Sequence, residues 1–179
     1  MVLAALSIVS CGNGSGSSQC EVGKWTSRSM VIPSQAGIGA VQQVGGGDGI
    51  AITVRADHTA LMDFGPMKPA TASFGKAGQP GTLSVKLSGV GSGAWAPDPK
   101  GVVVITFADF ATARASATLT LGVTQPPVFD LTLKELNAQM MTGGQEIGVF
   151  VVNECKNNSM TMSSPFPNGE ITLTAVRRT

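Results

Sequence analysis

A two-residue alternation of apolar and polar side chains, broken by Gly, Asp, Asn or Pro about every ten residues, constrains this chain most. In Ile50-Ala51-Ile52-Thr53-Val54-Arg55-Ala56 the residues Ile50, Ile52 and Val54 share one face. Asp57-His58 then makes a tight turn, and Thr59–Phe64 returns as the second arm of a hairpin. Such segments bury one face and wet the other, as antiparallel strands do. The prevalence of Val, Thr and Ile agrees, because β-branched side chains fit a pleated surface.

The same reading gives a first strand at Glu21–Ile32, ended by Pro33, and a Gly-rich loop over Gln35–Gly49. Ala70–Phe74 is a further strand, and Leu83–Leu87 alternates and runs on through glycines to Trp95. Val102–Phe107 is apolar at most positions and reads as buried on both faces. Thr112–Leu121 sets Ala and Leu against Arg114, Ser116, Thr118 and Thr120, and Phe129, Leu131 and Leu133 form another inward set. Lys134–Met141 is the one short helix. Ile147–Val152, Ser159–Met162 and Ile171–Val176 complete about ten strands, nearly all hairpin neighbours. The expected fold is all-β, an antiparallel up-and-down β-barrel of about 8–10 strands, with a two-sheet sandwich as the competitor. Ala51, Ala113, Ala115, Ala117 and Ala175, taken as inward, leave room for a cavity.

Only 13% of the residues are charged, the net charge is +1 and like charges do not cluster. This gives no electrostatic basis for nucleic acid, which needs a concentrated basic patch.

The amino terminus carries an address. Val2–Val9 is apolar and ends in Ile8-Val9-Ser10-Cys11, which resembles the lipobox of bacterial lipoprotein signal peptides. The resemblance implies a lipid on the Cys11 thiol, cleavage before Cys11 and attachment to the outer face of the cell membrane. No Lys or Arg precedes Cys11, so residues 1–10 read as a signal peptide truncated at its start. The apolar run is about half of the ~20 residues a membrane-spanning helix needs. Residues 11–19 are a Gly/Ser tether, and residues 20–179 are the barrel domain. The bland alternative is an ordinary first strand with an incidental Cys.

With Cys11 lipidated, Cys20 and Cys155 remain, and an exported chain with an even remainder suggests a disulfide between them. Closing so long a loop is worth ~4–5 kcal/mol in the chain-entropy model. Two free thiols are the alternative. Two distant thiols and the single His58 make no metal-ligand spacing, and no cofactor is implied.

Gly23-Lys24-Trp25 resembles the G-x-W signature of the lipocalins and their calycin relatives. The resemblance implies that Trp25 closes one end of a barrel under a basic residue from the last strand. Ile171, Leu173, Ala175 and Arg177 share the inward parity there, so Arg177, not Arg178, is the candidate. The layout as a whole resembles small actinobacterial lipoproteins with a lipocalin-like domain. Its shared elements are the lipobox, the Trp-bearing strand, Asp57-His58-Thr59, Cys155 and the terminal Arg.

Other constellations carry less chemistry. Asp57, His58 and Asp63 could exchange protons, but a hairpin turn accounts for the first two and no nucleophile accompanies them. Gly45-Gly46-Gly47-Asp48-Gly49 lacks the Lys-Ser/Thr of a phosphate loop and reads as a flexible loop or lid. Met140, Met141, Met160 and Met162 either line a greasy pocket or fill the core, and Trp95 is either a ligand platform or a core plug. The expected function is a lipid-anchored, extracytoplasmic, non-enzymatic protein that binds a small apolar ligand inside its barrel. The alternative is a structural or protein-interaction lipoprotein of the cell envelope with a filled barrel.

Overall fold

The computed structural model describes residues 20–33, 43–74, 81–121, 123–140, 148–166 and 169–178. Alternation does produce strands almost throughout. They are β1 (Gly23–Pro33), β2 (Gln43–Gly46), β3 (Ala51–Val54), β4 (Thr59–Asp63), β5 (Ala70–Phe74), β6 (Gly81–Ser88) and β7 (Val90–Pro97). There follow β8 (Val103–Asp109), β9 (Arg114–Leu121), β10 (Val123–Thr132), a helix α1 (Leu133–Met140), β11 (Val149–Lys156), β12 (Ser159–Phe166) and β13 (Gly169–Arg177).

Eight strands close a ring. In chain order they are β1, β3, β4, β7, β8, β11, β12 and β13; each pairs antiparallel with the next, and β13 pairs with β1. The protein is therefore all-β, built on a closed up-and-down barrel. The other five strands form a side sheet in the order β2-β5-β6-β9-β10, joined to the ring where β2 pairs with the second half of β1. About ten strands, nearly all hairpin neighbours, were expected from the sequence; thirteen are present among the described residues, and five stand outside the ring.

Connections in an antiparallel ring alternate between its two ends. Those from β3 to β4, β7 to β8 and β11 to β12 are short turns at one end, called lower here. Those from β1 to β3, β4 to β7 and β8 to β11 leave the upper end, and they carry β2, the β5–β6 pair, and β9, β10 and α1. The whole side sheet thus grows from the upper end.

The ring interior follows the alternation. Ile52 and Val54 of β3, Met62 of β4, Ile105 of β8, Met160 and Met162 of β12 and Leu173 and Ala175 of β13 are all buried. Each large apolar side chain so placed contributes roughly 1.5–3 kcal/mol. Met160 and Met162 are core filling. Met141 and the Met140 side chain lie outside the described residues.

Several local expectations are corrected. The Gln35–Gly49 loop contains β2, because two Gly residues there pair with Thr71 and Ala70 of β5. The run from Leu83 to Trp95 is two strands. It breaks at Gly89, where φ is +81° and a Cβ would collide with the Thr112 carbonyl. On β8 only Val103, Ile105 and Phe107 are buried while Thr106 is exposed, so the strand has one dry face, not two. Ala51 is half-buried on the face opposite Ile52, and Ala113, Ala115 and Ala117 are buried beneath the side sheet, not within the ring. Leu133 opens α1 instead of extending the strand before it, and Thr132 caps that helix by exchanging hydrogen bonds with Glu135.

Ser27 marks the fork between ring and side sheet. Gly23–Thr26 of β1 pair with β3, Met30–Pro33 pair with β2, and the register to β13 shifts between Ser27 and Ser29. The buried Ser27 hydroxyl donates to the Gly47 carbonyl (2.9 Å) and accepts from the Ile50 amide (2.8 Å), bridging the gap where the two sheets part. Ser27→Ala should cost ~1–3 kcal/mol by leaving both backbone groups buried and unpaired. Urea denaturation followed by circular dichroism measures it.

Candidate functional site

The lower end is closed by its own sequence. Trp25 and Arg177 are directly opposed across β1 and β13, and the Arg177 guanidinium carbon lies 4.4 Å from the Trp25 ring centroid. The guanidinium donates to the carbonyls of Val22 (2.9 Å) and Cys20 (2.5 Å), and the Trp25 indole N–H donates to Glu21 (2.8 Å). Three successive carbonyls of Cys20-Glu21-Val22 are thereby drawn over the opening. The Cys20 and Cys155 sulfurs stand at bonding distance, 2.08 Å, with Cα atoms 5.9 Å apart, and fix the same segment to β11. Gly23 fits this arrangement because its φ is +151° and a Cβ would strike the Arg177 guanidinium. Arg178 is exposed, and its amide bonds to Lys24. Cys11 lies outside the described residues.

Two of the polar groups singled out in the sequence, Asp57 and His58, sit in a lower turn. Asp57 accepts from the Thr59 hydroxyl (2.6 Å) and amide (3.0 Å), and these bonds hold its carboxyl below the ordinary value. It remains an ionised turn acceptor near neutral pH. His58 has a positive φ of 66°, and its ring lies 4.6 Å from that of Trp95. Trp95 is buried and donates to the Arg55 carbonyl (2.7 Å), which makes it a plug of this end. Asp63 is on the far end of β4, where it accepts from the Gly65 amide (2.8 Å). The three side chains are not assembled into one site. Among the described residues no cluster of three or more His, Cys, Asp or Glu could hold a metal.

The upper end is different. A cavity of about 280 Å³ begins at the top of the ring and extends under the side sheet. The ring supplies Met30, Ile32, Met62, Phe150 and Leu173. The side sheet supplies Leu83, Val85 and Leu87 of β6 with Ala115, Ala117 and Leu119 of β9, and α1 adds Leu133 and Leu136. Every described residue lining it is apolar. The sequence contained one sign of this gap: β9 puts Ala, not a bulky residue, at successive inward positions opposite β6. Alternation alone assigned those alanines to the ring.

Lower-end closure makes the two terminal arginines inequivalent. Arg177→Ala should destabilise the domain by ~1–3 kcal/mol through lost stacking and unpaired carbonyls, and Arg178→Ala should stay within ~0.5 kcal/mol. Guanidinium denaturation monitored by Trp fluorescence compares them.

No protein-family model, curated protein or solved structure matches the chain, so its function has to be read from this geometry.

Proposed function

We propose that this protein is a lipid-anchored, extracytoplasmic binding module that holds a small apolar ligand at the upper end of its barrel. The apolar cavity between ring and side sheet carries the reading. Its volume is close to the lower bound of ~300–1,000 Å³ for ligand sites, and pockets of that kind are mostly apolar and few per protein. The ring below it is packed with large side chains, so the space is confined to one end. A fold that needed only a filled core would gain by closing it, since empty volume forfeits dispersion contacts.

The location rests on Ile8-Val9-Ser10-Cys11 and on the spacing of Cys20 and Cys155, which suits an oxidising compartment. Among the described residues no helix is long and apolar enough to cross a membrane.

Binding is tested with a neutral apolar dye, N-phenylnaphthylamine, whose emission rises out of water. The protein should bind it at one site. Ala117→Phe projects a ring into the cavity and should weaken binding about tenfold or more, while Thr118→Phe on the opposite face should change it less than about twofold. Unchanged binding by a folded Ala117→Phe protein would favour the envelope-interaction reading, with a filled barrel and no ligand.

The anchor is tested separately. In a chain with a full signal peptide, Cys11→Ala should move the protein from the membrane fraction to the soluble fraction. Retention of detergent partitioning by that variant would rule the lipid out.

A further inference from the structure

We infer that the ligand is the single hydrocarbon chain of an amphiphile, taken tail-first with its polar head left outside. This rests on the apolar-ligand reading and narrows it to one chemical class.

The lining chemistry gives the direction. No side chain among the described lining residues offers a donor or an acceptor, and the backbone groups of β6 and β9 are engaged in their ladder. A hydroxyl, carboxylate or phosphate carried inside would lose its water and meet nothing in its place. The head must therefore stay at the mouth. A mouth exists, because Ile32, Val85, Leu87, Leu119, Phe129 and Ile171 line the cavity yet are only partly buried.

The dimensions give the size. On the side-sheet wall, Leu83 faces Leu119, Val85 faces Ala117 and Leu87 faces Ala115. These three rows span five residues, or ~13 Å at ~3.3 Å per residue. The cavity beside this wall has a volume of about 280 Å³. At ~30 Å³ for each water-sized group the same volume holds about nine of them. One chain of nine or so carbons fills that volume, and two such chains do not fit in it.

Selection should then follow chain length and ignore the head. The test is calorimetric titration of the intact, oxidised protein below micelle-forming concentrations. The ligands are fatty acids, monoacylglycerols and lysophosphatidylcholines of six, eight, ten and twelve carbons, with naphthalene as a compact apolar probe. Affinity should rise about fourfold per methylene up to nine or ten carbons and then level off, the gain expected from burying each CH₂. At one chain length the three heads should agree within about threefold. Ala115→Leu adds three carbons to the wall and should bring the plateau down by about as many.

A spread above about tenfold among heads of equal chain length would overturn the tail-first proposal. So would naphthalene binding without chain binding, and in that case the apolar cavity would still stand as a site. Folded native protein that binds neither naphthalene nor any chain would remove both proposals.

Discussion

Everything above the lower end depends on β1 serving two sheets along one edge. Its other edge is committed to β13 for nearly its whole length. The free edge is shared by β3 and β2, and a strand edge can satisfy only one partner at each position. Changing partner mid-strand would leave buried N–H and C=O groups without a mate. At Ser27 the strand's own N–H donates to the Ile50 carbonyl (2.8 Å) and its carbonyl accepts from the Gly49 amide (3.0 Å), while the hydroxyl accepts from the Ile50 amide and donates to the Gly47 carbonyl of the connecting segment. Main-chain and side-chain bonds at this one serine thus join a closed barrel and an open sheet on the same strand.

The consequence is a molecule with two unlike ends. Below, the connections are tight, and the opening is covered by Trp25, Arg177, Trp95 and the segment starting at Cys20. Main-chain carbonyls there are answered by indole and guanidinium donors. Above, every long connection leaves the ring, and the strands it carries need a dry surface for their apolar faces. The upper rim of the barrel offers that surface. Side sheet and rim meet through Leu, Val and Phe on one side and Met, Ile and Phe on the other, with alanines between them. Those alanines are too short to bridge the gap, and the space they leave is the cavity.

Under the proposed reading this division also separates attachment from binding. The described chain enters the barrel at the lower end, opposite the cavity, where Cys20 is held against β11. Under the lipid-anchor reading the closed end is the one tethered towards the membrane. The residues of the lower end hold the barrel together, and those of the upper end are the ones a ligand would touch.

What the sequence determined by itself is whatever depends on neighbours along the chain. Alternation marks the strands and their dry faces: Ile50, Ile52 and Val54 on one side, and Leu173, Ala175 and Arg177 on another. Turn residues mark the short hairpin at Asp57-His58. Parity was enough to choose Arg177 over Arg178, because a strand has only two faces. Which sheet a strand joins is decided elsewhere. Period-two alternation says that a face is apolar and says nothing of what covers it. The alanine face of β9 is the same string of letters whether it looks into a barrel or down onto its rim. Only the pairing of β9 with β6, and of β2 with the far half of β1, places it over the rim. The cavity has no motif for the same reason: it is a difference in side-chain length between two surfaces that meet only once the chain has folded.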